Sequence, residues 1–179
     1  MTNTTGEHAK ILRELYDQAL RRVTHREYGE EELRRKLKQY SNNKQDIDIV
    51  LEQMKQAGHL RDERFIEAYI QSRVRRGFGP VRITLELREK GIRADAIKKY
   101  LTIWQSSWLS LAKRVLEKKH SEKRKRLNSV QNDISDEESQ QAYSLATRRF
   151  LTYRGFDSNI IQQAISEQYS KKNNEEMVQ

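Results

Sequence analysis

The segment bounded by Gly79 and Gly91 constrains the fold more than any other part of the chain. Pro80, the only proline, has no backbone N–H and a φ angle already suited to a helix, so it marks a first helical position. Ile83 and Leu87 lie one turn apart, and Gly91 supplies the left-handed residue that commonly follows a last turn. The segment therefore predicts one short helix and a tight glycine corner. Its four apolar side chains are Val81, Ile83, Leu85 and Leu87.

The glycine corner occurs twice with matching neighbours. Leu87 precedes Gly91 by four residues, and Leu151 precedes Gly155 by four. Apolar residues follow both corners at equal offsets: Ile92, Ile97 and Leu101 after the first, and Phe156, Ile161 and Ile165 after the second. The helix entrance also recurs, because Leu33 and Leu37 follow Gly29 at the offsets of four and eight at which Ile83 and Leu87 follow Gly79. Such self-similarity is typical of a repeat protein.

The spacing of the repeats predicts an insertion. Gly29 and Gly79 are 50 residues apart, whereas Gly91 and Gly155 are 64 apart, and the extra 14 residues equal the polar run 120–133. We therefore predict an all-α fold of three tandem three-helix repeats, forming an elongated, curved array of either hand with a basic loop inserted in the third repeat. The predicted bounds are 1–9 for a disordered start, 10–58, 59–104 and 105–169 for the repeats, with insertion 120–133, and 170–179 for a disordered tail.

Helix boundaries within the repeats are predicted from capping residues. Asp46 is the expected N-cap of the third helix, and Asp62 that of the fourth. Gly58 is expected to end the third helix. Ser135 to Glu138 has the spacing of a capping box at the start of a later helix. Trp104 and Trp108, one turn apart, could stack on bases, but that spacing favours packing in the core.

Composition restricts the classes of function. Hydrophobic residues make up 35% of the chain and charged residues 34%, which favours narrow buried stripes over one thick core. There is no cysteine, and no apolar run is long enough to span a bilayer, so we expect a soluble cytoplasmic protein without disulfides. The 35 Lys and Arg exceed the 26 Asp and Glu, giving a net charge of +9. This excess favours a polyanion or an acidic protein surface as partner.

No constellation of residues indicates catalysis. The four histidines lie in separate segments and are interpreted as surface residues, so no metal is predicted: His8, His25, His59 and His120. Asp46, Asp48 and Glu52 resemble a carboxylate cluster, but their position at a helix start explains two of them as capping residues. The chain also lacks a phosphate-binding loop, a nucleophile elbow and a dinucleotide fingerprint. We expect a non-enzyme without a cofactor.

Basic residues are the strongest functional signal. From Gln71 to Lys99 there are nine positive and three negative residues, and a second excess lies between Lys113 and Arg126. A positive strip beside a rigid glycine corner suits a phosphate backbone or an acidic groove. The second excess is expected to act through mobile electrostatic attraction. The predicted partner-binding residues are Arg34, Arg35, Arg73, Arg75, Arg76, Arg82, Arg88, Lys90, Arg93, Arg148, Arg149 and Arg154.

Four short motifs in this order resemble a known family. They are Glu32-Leu33-Arg34-Arg35-Lys36-Leu37; Gly58-His59-Leu60-Arg61-Asp62 with Phe65; Gly77-Phe78-Gly79-Pro80 with Ile83, Leu87 and Lys90-Gly91-Ile92; and Phe150-Leu151 with Tyr153-Arg154-Gly155-Phe156. Together they resemble the RecX regulatory proteins, bacterial modulators of the RecA recombinase, over about Ala19 to Ile165. Phe78 and Phe156 stand where that family often has tyrosine, which keeps the ring and removes a hydroxyl.

The resemblance implies a fold and a partner. It implies tandem three-helix repeats in a curved monomer that lies in the groove of the RecA filament and restrains recombination, ATP hydrolysis and co-protease activity. RecA and its DNA filament are thus the expected partners, with direct contact to single- or double-stranded DNA left open. A general nucleic-acid-binding protein that competes for DNA is the alternative, because the same charge would hold phosphates unaided. An enzyme acting on DNA ends is a third alternative, which the missing carboxylate or metal site disfavours.

Overall fold

The fold contains only helices in the part of the chain that the structure describes. The structure is a computed structural model that describes residues 4–127 and 137–176. Within these ranges there is no strand, which confirms the predicted all-α class. A short 3₁₀ turn occupies Gln105–Ser107. The helices are α1 Thr4–His25, α2 Glu30–Leu37, α3 Lys44–Gln56, α4 Asp62–Arg75, α5 Pro80–Glu89, α6 Ala94–Thr102, α7 Trp108–Leu127, α8 Glu137–Arg154 and α9 Ser158–Glu176.

Contacts divide the chain into two compact units. Unit 1 comprises Met1–Ile70 with Glu86–Tyr100, and unit 2 comprises Gln71–Leu85 with Leu101–Gln179. The division passes through α4 and α5, so it does not coincide with the three-repeat scheme. The bounds of the three repeats stay a prediction.

The core of unit 1 includes the side chains on the inner faces of its first three helices. α1 packs mainly against α3, and α2 touches both. The buried positions recur every three or four residues, the period at which one face of a helix repeats. They are Leu15, Ala19, Leu33, Leu37, Ile47, Val50, Leu51 and Met54, and Leu60, in the connection between α3 and α4, joins the same cluster.

Two glycine corners end helices in the same way, one in each unit. Gly91 has a φ of 85° and Gly155 a φ of 84°. After the first corner, the Ile92 N–H donates to the Leu87 carbonyl at 3.1 Å; after the second, the Phe156 N–H donates to the Leu151 carbonyl at 3.1 Å. This backward bond satisfies a carbonyl that the helix end leaves open, and only glycine adopts the left-handed conformation without strain. The corners predicted from the sequence are confirmed.

The observed start of α5 agrees with the prediction from the sequence, and the predicted N-caps of α3 and α4 do not. α5 begins at Pro80 as predicted. The N-cap of α3 is Asn43, whose side chain accepts from the Gln45 N–H at 3.0 Å, so the prediction of Asp46 is wrong. Asp46 instead is buried within the first turn and accepts from His8 Nε2 at 2.9 Å. Asp62 is not an N-cap either, because it is the first residue of α4.

The helices extend further than the polar segments suggested. α1 already includes residues 4–9, where the contact between His8 and Asp46 ties its first turns to α3. α7 continues through residues 120–127 of the predicted insertion, and α9 includes residues 170–176 of the predicted tail. These three expectations are corrected for those residues, because a polar sequence does not prevent a helix from continuing once its apolar part is packed. The predicted capping-box residues 135 and 136, and residues 128–134, lie outside the described residues.

Candidate partner-binding surface

In unit 2, α8 ends against the start of α5, at a place that we call the α5–α8 junction. The Gly79 N–H donates to the Arg154 carbonyl at 2.8 Å, and the Val81 N–H donates to the Gly155 carbonyl at 3.0 Å. The open N–H groups of one helix are thereby satisfied by the open carbonyls of another. A Cβ on Gly79 would stand 2.4 Å from the Gly155 carbonyl oxygen. The two backbones can approach this closely only because both residues are glycine.

Three arginines surround one aromatic ring at this junction. The guanidinium carbons of Arg73, Arg82 and Arg154 lie 5.4 Å, 4.7 Å and 5.2 Å from the centroid of the Phe78 ring. Each distance falls within the range at which a cation is attracted to a ring face. The cluster therefore concentrates positive charge around a half-buried side chain.

Hydrogen bonds fix two of these arginines. Arg154 Nη1 donates to the Arg76 carbonyl at 2.7 Å, and Arg82 Nη1 donates to the Tyr153 carbonyl at 3.2 Å. The partners lie 78 and 71 residues away along the chain, so the cluster exists only in the folded unit. Both guanidiniums are thus held in place before any partner arrives.

The other predicted cations of unit 2 are exposed. Arg75 and Arg76 lie at the end of α4 and in the turn after it, and Arg148 and Arg149 lie on α8. Arg148 Nη2 donates to Gln162 Oε1 at 2.8 Å. Seven predicted binding residues thus belong to unit 2, three of them in the Phe78 cluster and four in solvent.

Arg34 in unit 1 has a different environment, because carboxylates surround it. Its guanidinium contacts Asp48, and it lies 3.1 Å from Glu30 Oε1 and 3.2 Å from Glu31 Oε1. Burial acts to lower the pKa of Arg34, but the hydrogen bond with Asp48 and the other carboxylates raise it above its usual value. The same hydrogen bond holds the pKa of Asp48 below its usual value. The charge of Arg34 is largely neutralised inside the unit.

Lys90 is matched by an acid in the same way. Its Nζ lies 3.5 Å from Glu32 Oε2 and 5.5 Å from the Tyr69 ring centroid. Glu32 also accepts from Arg26 Nη2 at 2.6 Å. This hydrogen bond raises the pKa of Arg26. Lys90 therefore helps to join the end of α5 to the start of α2, a contact that we call the α2–α5 junction.

The remaining predicted cations of unit 1 are exposed: Arg35, Arg88 and Arg93. Arg93 forms a two-pronged pair with Asp95, at 3.2 Å and 3.1 Å. The hydrogen bond from Arg93, with a backbone N–H, lowers the pKa of Asp95. Both side chains are largely in solvent, where such a pair adds little stability.

Neither a metal-binding cluster nor a membrane-spanning helix is found in the described ranges. No cluster of three or more His, Asp or Glu side chains there could hold a metal ion. No helix in those ranges is long and apolar enough to cross a bilayer. His8, His25 and His59 are exposed as predicted, whereas His120 is half-buried and bonded to Gln168, so its assignment to the surface is corrected. Trp108 is buried, as the packing interpretation requires.

Comparisons with known proteins place the chain in a family. Residues 62–101 match the family model described as RecX, second three-helix domain. The chain is 38% identical over 152 residues to the regulatory protein RecX of Legionella pneumophila strain Corby, covering 85% of this chain and 93% of that protein. The chain belongs to the RecX family. It is also 33% identical over 166 residues to the RecX of Escherichia coli strain SE11, covering 87% of this chain and 92% of that relative.

RecX proteins of known structure share the fold. The crystal structure of RecX from Lactobacillus salivarius matches with a TM-score of 0.71 at 19% identity, covering 89% of this chain and 97% of that one. A second crystal structure of a regulatory protein RecX gives a TM-score of 0.71 at 20% identity, covering 89% of this chain and 74% of the other. Both support the all-α class.

The sequence indicates the arginines but not the aromatic side chains that they surround. In the sequence, Phe78 stands out only as a departure from tyrosine, and Tyr153 only as part of a motif. Val81 and Leu85 belong to the apolar positions of their helix in the sequence, but the structure exposes both side chains. The two-residue spacing from Ile83 was the available signal, because residues two apart do not share a helix face.

Proposed function

We propose that this protein binds RecA and its nucleoprotein filament and inhibits recombinase, ATPase and co-protease activity in DNA repair and the SOS response. Membership in the RecX family supports the regulatory role. The observation that carries the proposal is the arginine-rich α5–α8 junction, with Arg73, Arg82 and Arg154 held around Phe78. We further propose that the protein acts as a cytoplasmic monomer of three helical repeats, without a cofactor and without catalysis of its own.

The guanidinium group of arginine suits an anionic partner. Its planar fork binds carboxylates or phosphates in a two-pronged manner and stays charged at neutral pH. Arg82 and Arg154 are fixed by hydrogen bonds to backbone carbonyls, so little side-chain entropy is lost when a partner binds. Arg75 and Arg76 extend the positive surface into solvent. The cations of unit 1 contribute less, because Arg34 and Lys90 are paired with acids.

A general nucleic-acid-binding protein is the second candidate, since the net charge of +9 favours phosphates. Salt separates the two candidates. An inhibitor that contacts RecA keeps its effect at a salt concentration where its own affinity for DNA has collapsed. A DNA competitor loses its effect in step with that affinity.

The test replaces Arg75, Arg76 and Arg82 together by alanine. If each makes one charge-assisted contact of about 1.5 to 3 kcal/mol, inhibition of the DNA-dependent ATPase of RecA weakens at least about tenfold, allowing for non-additivity. A double variant, Arg75→Ala with Arg76→Ala, distinguishes the exposed arginines from Arg82, which also supports the junction. Circular dichroism checks that each variant remains folded.

The matched control removes Lys123, Arg124 and Lys125, an equal charge in the second basic run. This change is expected to act through long-range attraction, and its effect fades as salt rises. A folded triple arginine variant that inhibits RecA as well as the parent would remove Arg75, Arg76 and Arg82 from the proposal and leave the arginines of α8 to be tested.

A further inference from the structure

α8 presents a row of exposed side chains that its own unit does not bury. Leu145, Arg149 and Tyr153 follow one another at intervals of four residues, so they lie on one face of the helix over about 12 Å. Leu145 is 55% exposed and Tyr153 is 70% exposed. The opposite side of the helix supplies Leu151, which is fully buried. The row therefore lies on the side of α8 that faces away from its buried leucine.

α5 carries a second row of the same kind. Val81 and Leu85 lie one turn apart and are 55% and 58% exposed, while Ile83 is buried. In α2, the residues at the same offsets from the preceding glycine are Glu31 and Arg35, both charged and exposed. The repeat pattern thus does not require apolar side chains at these two positions. Their presence in α5 needs another explanation.

The two rows meet at the α5–α8 junction. The guanidinium of Arg82 lies 5.0 Å from the centroid of the Tyr153 ring and donates to the Tyr153 carbonyl. The Val81 N–H is bonded to the Gly155 carbonyl, two residues after Tyr153. The end of the α8 row therefore adjoins the start of the α5 row. We name Leu145, Arg149, Tyr153, Val81, Arg82 and Leu85 the junction stripe.

We propose that the junction stripe docks an acidic segment of the partner protein that presents apolar side chains. This inference rests on the proposed function and names the chemistry of the partner's contact. Arg82 and Arg149 would pair with carboxylates, while the aliphatic and aromatic side chains would cover apolar groups and exclude water from those pairs. Interfaces commonly combine an apolar centre with arginine in this way.

A protein segment fits the stripe better than a nucleic acid does. Phosphates need only the arginines, and a base needs only a ring such as Tyr153 to stack on. Three aliphatic side chains in the stripe would stay in contact with water beside a nucleic acid backbone. Leu145, Val81 and Leu85 are more than half exposed and would be buried only by apolar groups.

The test uses two variants of the full chain, Val81→Ser with Leu85→Ser, and Tyr153→Ser. Both change exposed side chains, and the second leaves the carbonyl that accepts from Arg82 in place. Ile103→Ser is the matched control, because Ile103 is 72% exposed and outside the stripe. Circular dichroism and urea unfolding confirm that all three proteins stay folded.

Two binding measurements are made on each protein. Cosedimentation with RecA filaments assembled on single-stranded DNA reports partner binding, and fluorescence anisotropy with a labelled oligothymidylate reports nucleic acid binding. The expected result is a loss of filament affinity of about tenfold for the aliphatic pair and for Tyr153→Ser, with oligothymidylate affinity and the Ile103→Ser control unchanged.

Other outcomes overturn the inference in distinguishable ways. If filament binding falls in the arginine variant but not in the stripe variants, the proposed function stands. The inference that an acidic, apolar segment docks on the junction stripe is then wrong. A parallel loss of oligothymidylate affinity in Tyr153→Ser assigns the stripe to nucleic acid. A parent protein that does not bind RecA filaments at all ends the proposed function and this inference together.

Discussion

The α2–α5 junction of unit 1 and the α5–α8 junction of unit 2 are built on the same glycine corner with different chemistry. Gly91 and Gly155 differ in φ by one degree, from 85° to 84°, and both are followed by the same backward hydrogen bond. The residue before each glycine differs in its contacts. In unit 1, Lys90 pairs with Glu32, whereas in unit 2 Arg154 and Arg82 approach the same aromatic ring, that of Phe78. A repeated backbone motif can thus join two helices either with balanced charge or with concentrated positive charge.

The difference shows where a binding surface can arise in a repeat protein. In unit 1, the acids at the start of α2 neutralise nearby cations and so stabilise the unit. In unit 2, backbone bonds between Gly79 and Arg154 and between Val81 and Gly155 hold the junction. The arginine side chains there add hydrogen bonds to backbone carbonyls, whereas Lys90 of unit 1 pairs with the carboxylate of Glu32.

The two junctions should respond equally to loss of the leucine that precedes each corner. Leu87 and Leu151 are both fully buried. Leu87→Ala and Leu151→Ala should each lower the free energy of unfolding by about 2 to 5 kcal/mol, through lost transfer free energy and a cavity. Urea denaturation measures both losses. A loss below about 1 kcal/mol at both sites would contradict the assigned core.

The corners themselves should respond unequally to an added methyl group. A Cβ on Gly155 would lie 2.5 Å from the Arg82 backbone nitrogen, whereas a Cβ on Gly91 would lie 2.6 Å from the Glu31 Cγ, part of a side chain that can turn away. Backbone strain acts in both. Gly155→Ala should cost about 3 kcal/mol and Gly91→Ala about 1 kcal/mol in urea unfolding. Equal losses would show that the junctions are equally rigid.

Acid should weaken the α2–α5 junction through Glu32. Burial acts to raise the pKa of Glu32. The hydrogen bond with Arg26 and the charge of Lys90 lower it by more, so the pKa of Glu32 lies below its usual value. A lowered folded pKa contributes stability above the unfolded pKa of about 4.3, and this contribution is lost as pH falls through the folded value.

Glu32→Gln should therefore lower the free energy of unfolding by about 1 kcal/mol at pH 7, the size of a typical net hydrogen bond. The gap between variant and parent should close as pH falls below about 4. Unfolding in urea at a series of pH values measures it. A gap that is constant across this range would assign the effect to packing instead of charge.

The smallest expected effect concerns the start of α2. The Glu30 N–H donates to Asp62 Oδ1 at 3.2 Å, so a side chain of α4 satisfies the helix start, whereas backbone carbonyls serve α5. Asp62→Ala should cost about 0.5 to 1 kcal/mol, at the lower end for a lost capping acceptor because the site is exposed. Asp62→Asn, which keeps an acceptor oxygen, is the control and should restore most of that loss.

Features set by a few neighbouring residues could be predicted from the sequence. Pro80 begins its helix, and Gly91 and Gly155 end theirs, because φ is restricted or freed by the residue itself. The choice of N-cap for α3 could not be predicted in the same way. Asn43 and Asp46 are both suitable N-cap residues, and the local sequence does not say which of them begins the helix. Asp46 is buried and accepts from His8, 38 residues away, a contact that the local sequence does not show.

The candidate surface was predictable in its charges and not in its arrangement. The excess of arginine between Gln71 and Lys99 is visible in the sequence. That Arg154 joins Arg73 and Arg82 at Phe78 depends on a contact across more than 70 residues. Periodicity places Ile83 with Leu87 on one face of α5 and Val81 with Leu85 on another, but it does not say which face is buried. The packed structure shows that Ile83 and Leu87 are the buried pair.

The backbone bonds between α8 and α5 have an electrostatic consequence. A free helix N-terminus carries about half a positive charge and attracts anions, and a free C-terminus carries the opposite charge. The Gly79 and Val81 N–H groups donate to the Arg154 and Gly155 carbonyls, so the partial positive charge of the α5 start faces the partial negative charge of the α8 end. The two partial charges offset each other, and the start of α5 does not attract an anion by itself. Any attraction for an anion at this point therefore comes from arginine side chains, which makes it fully accessible to mutagenesis.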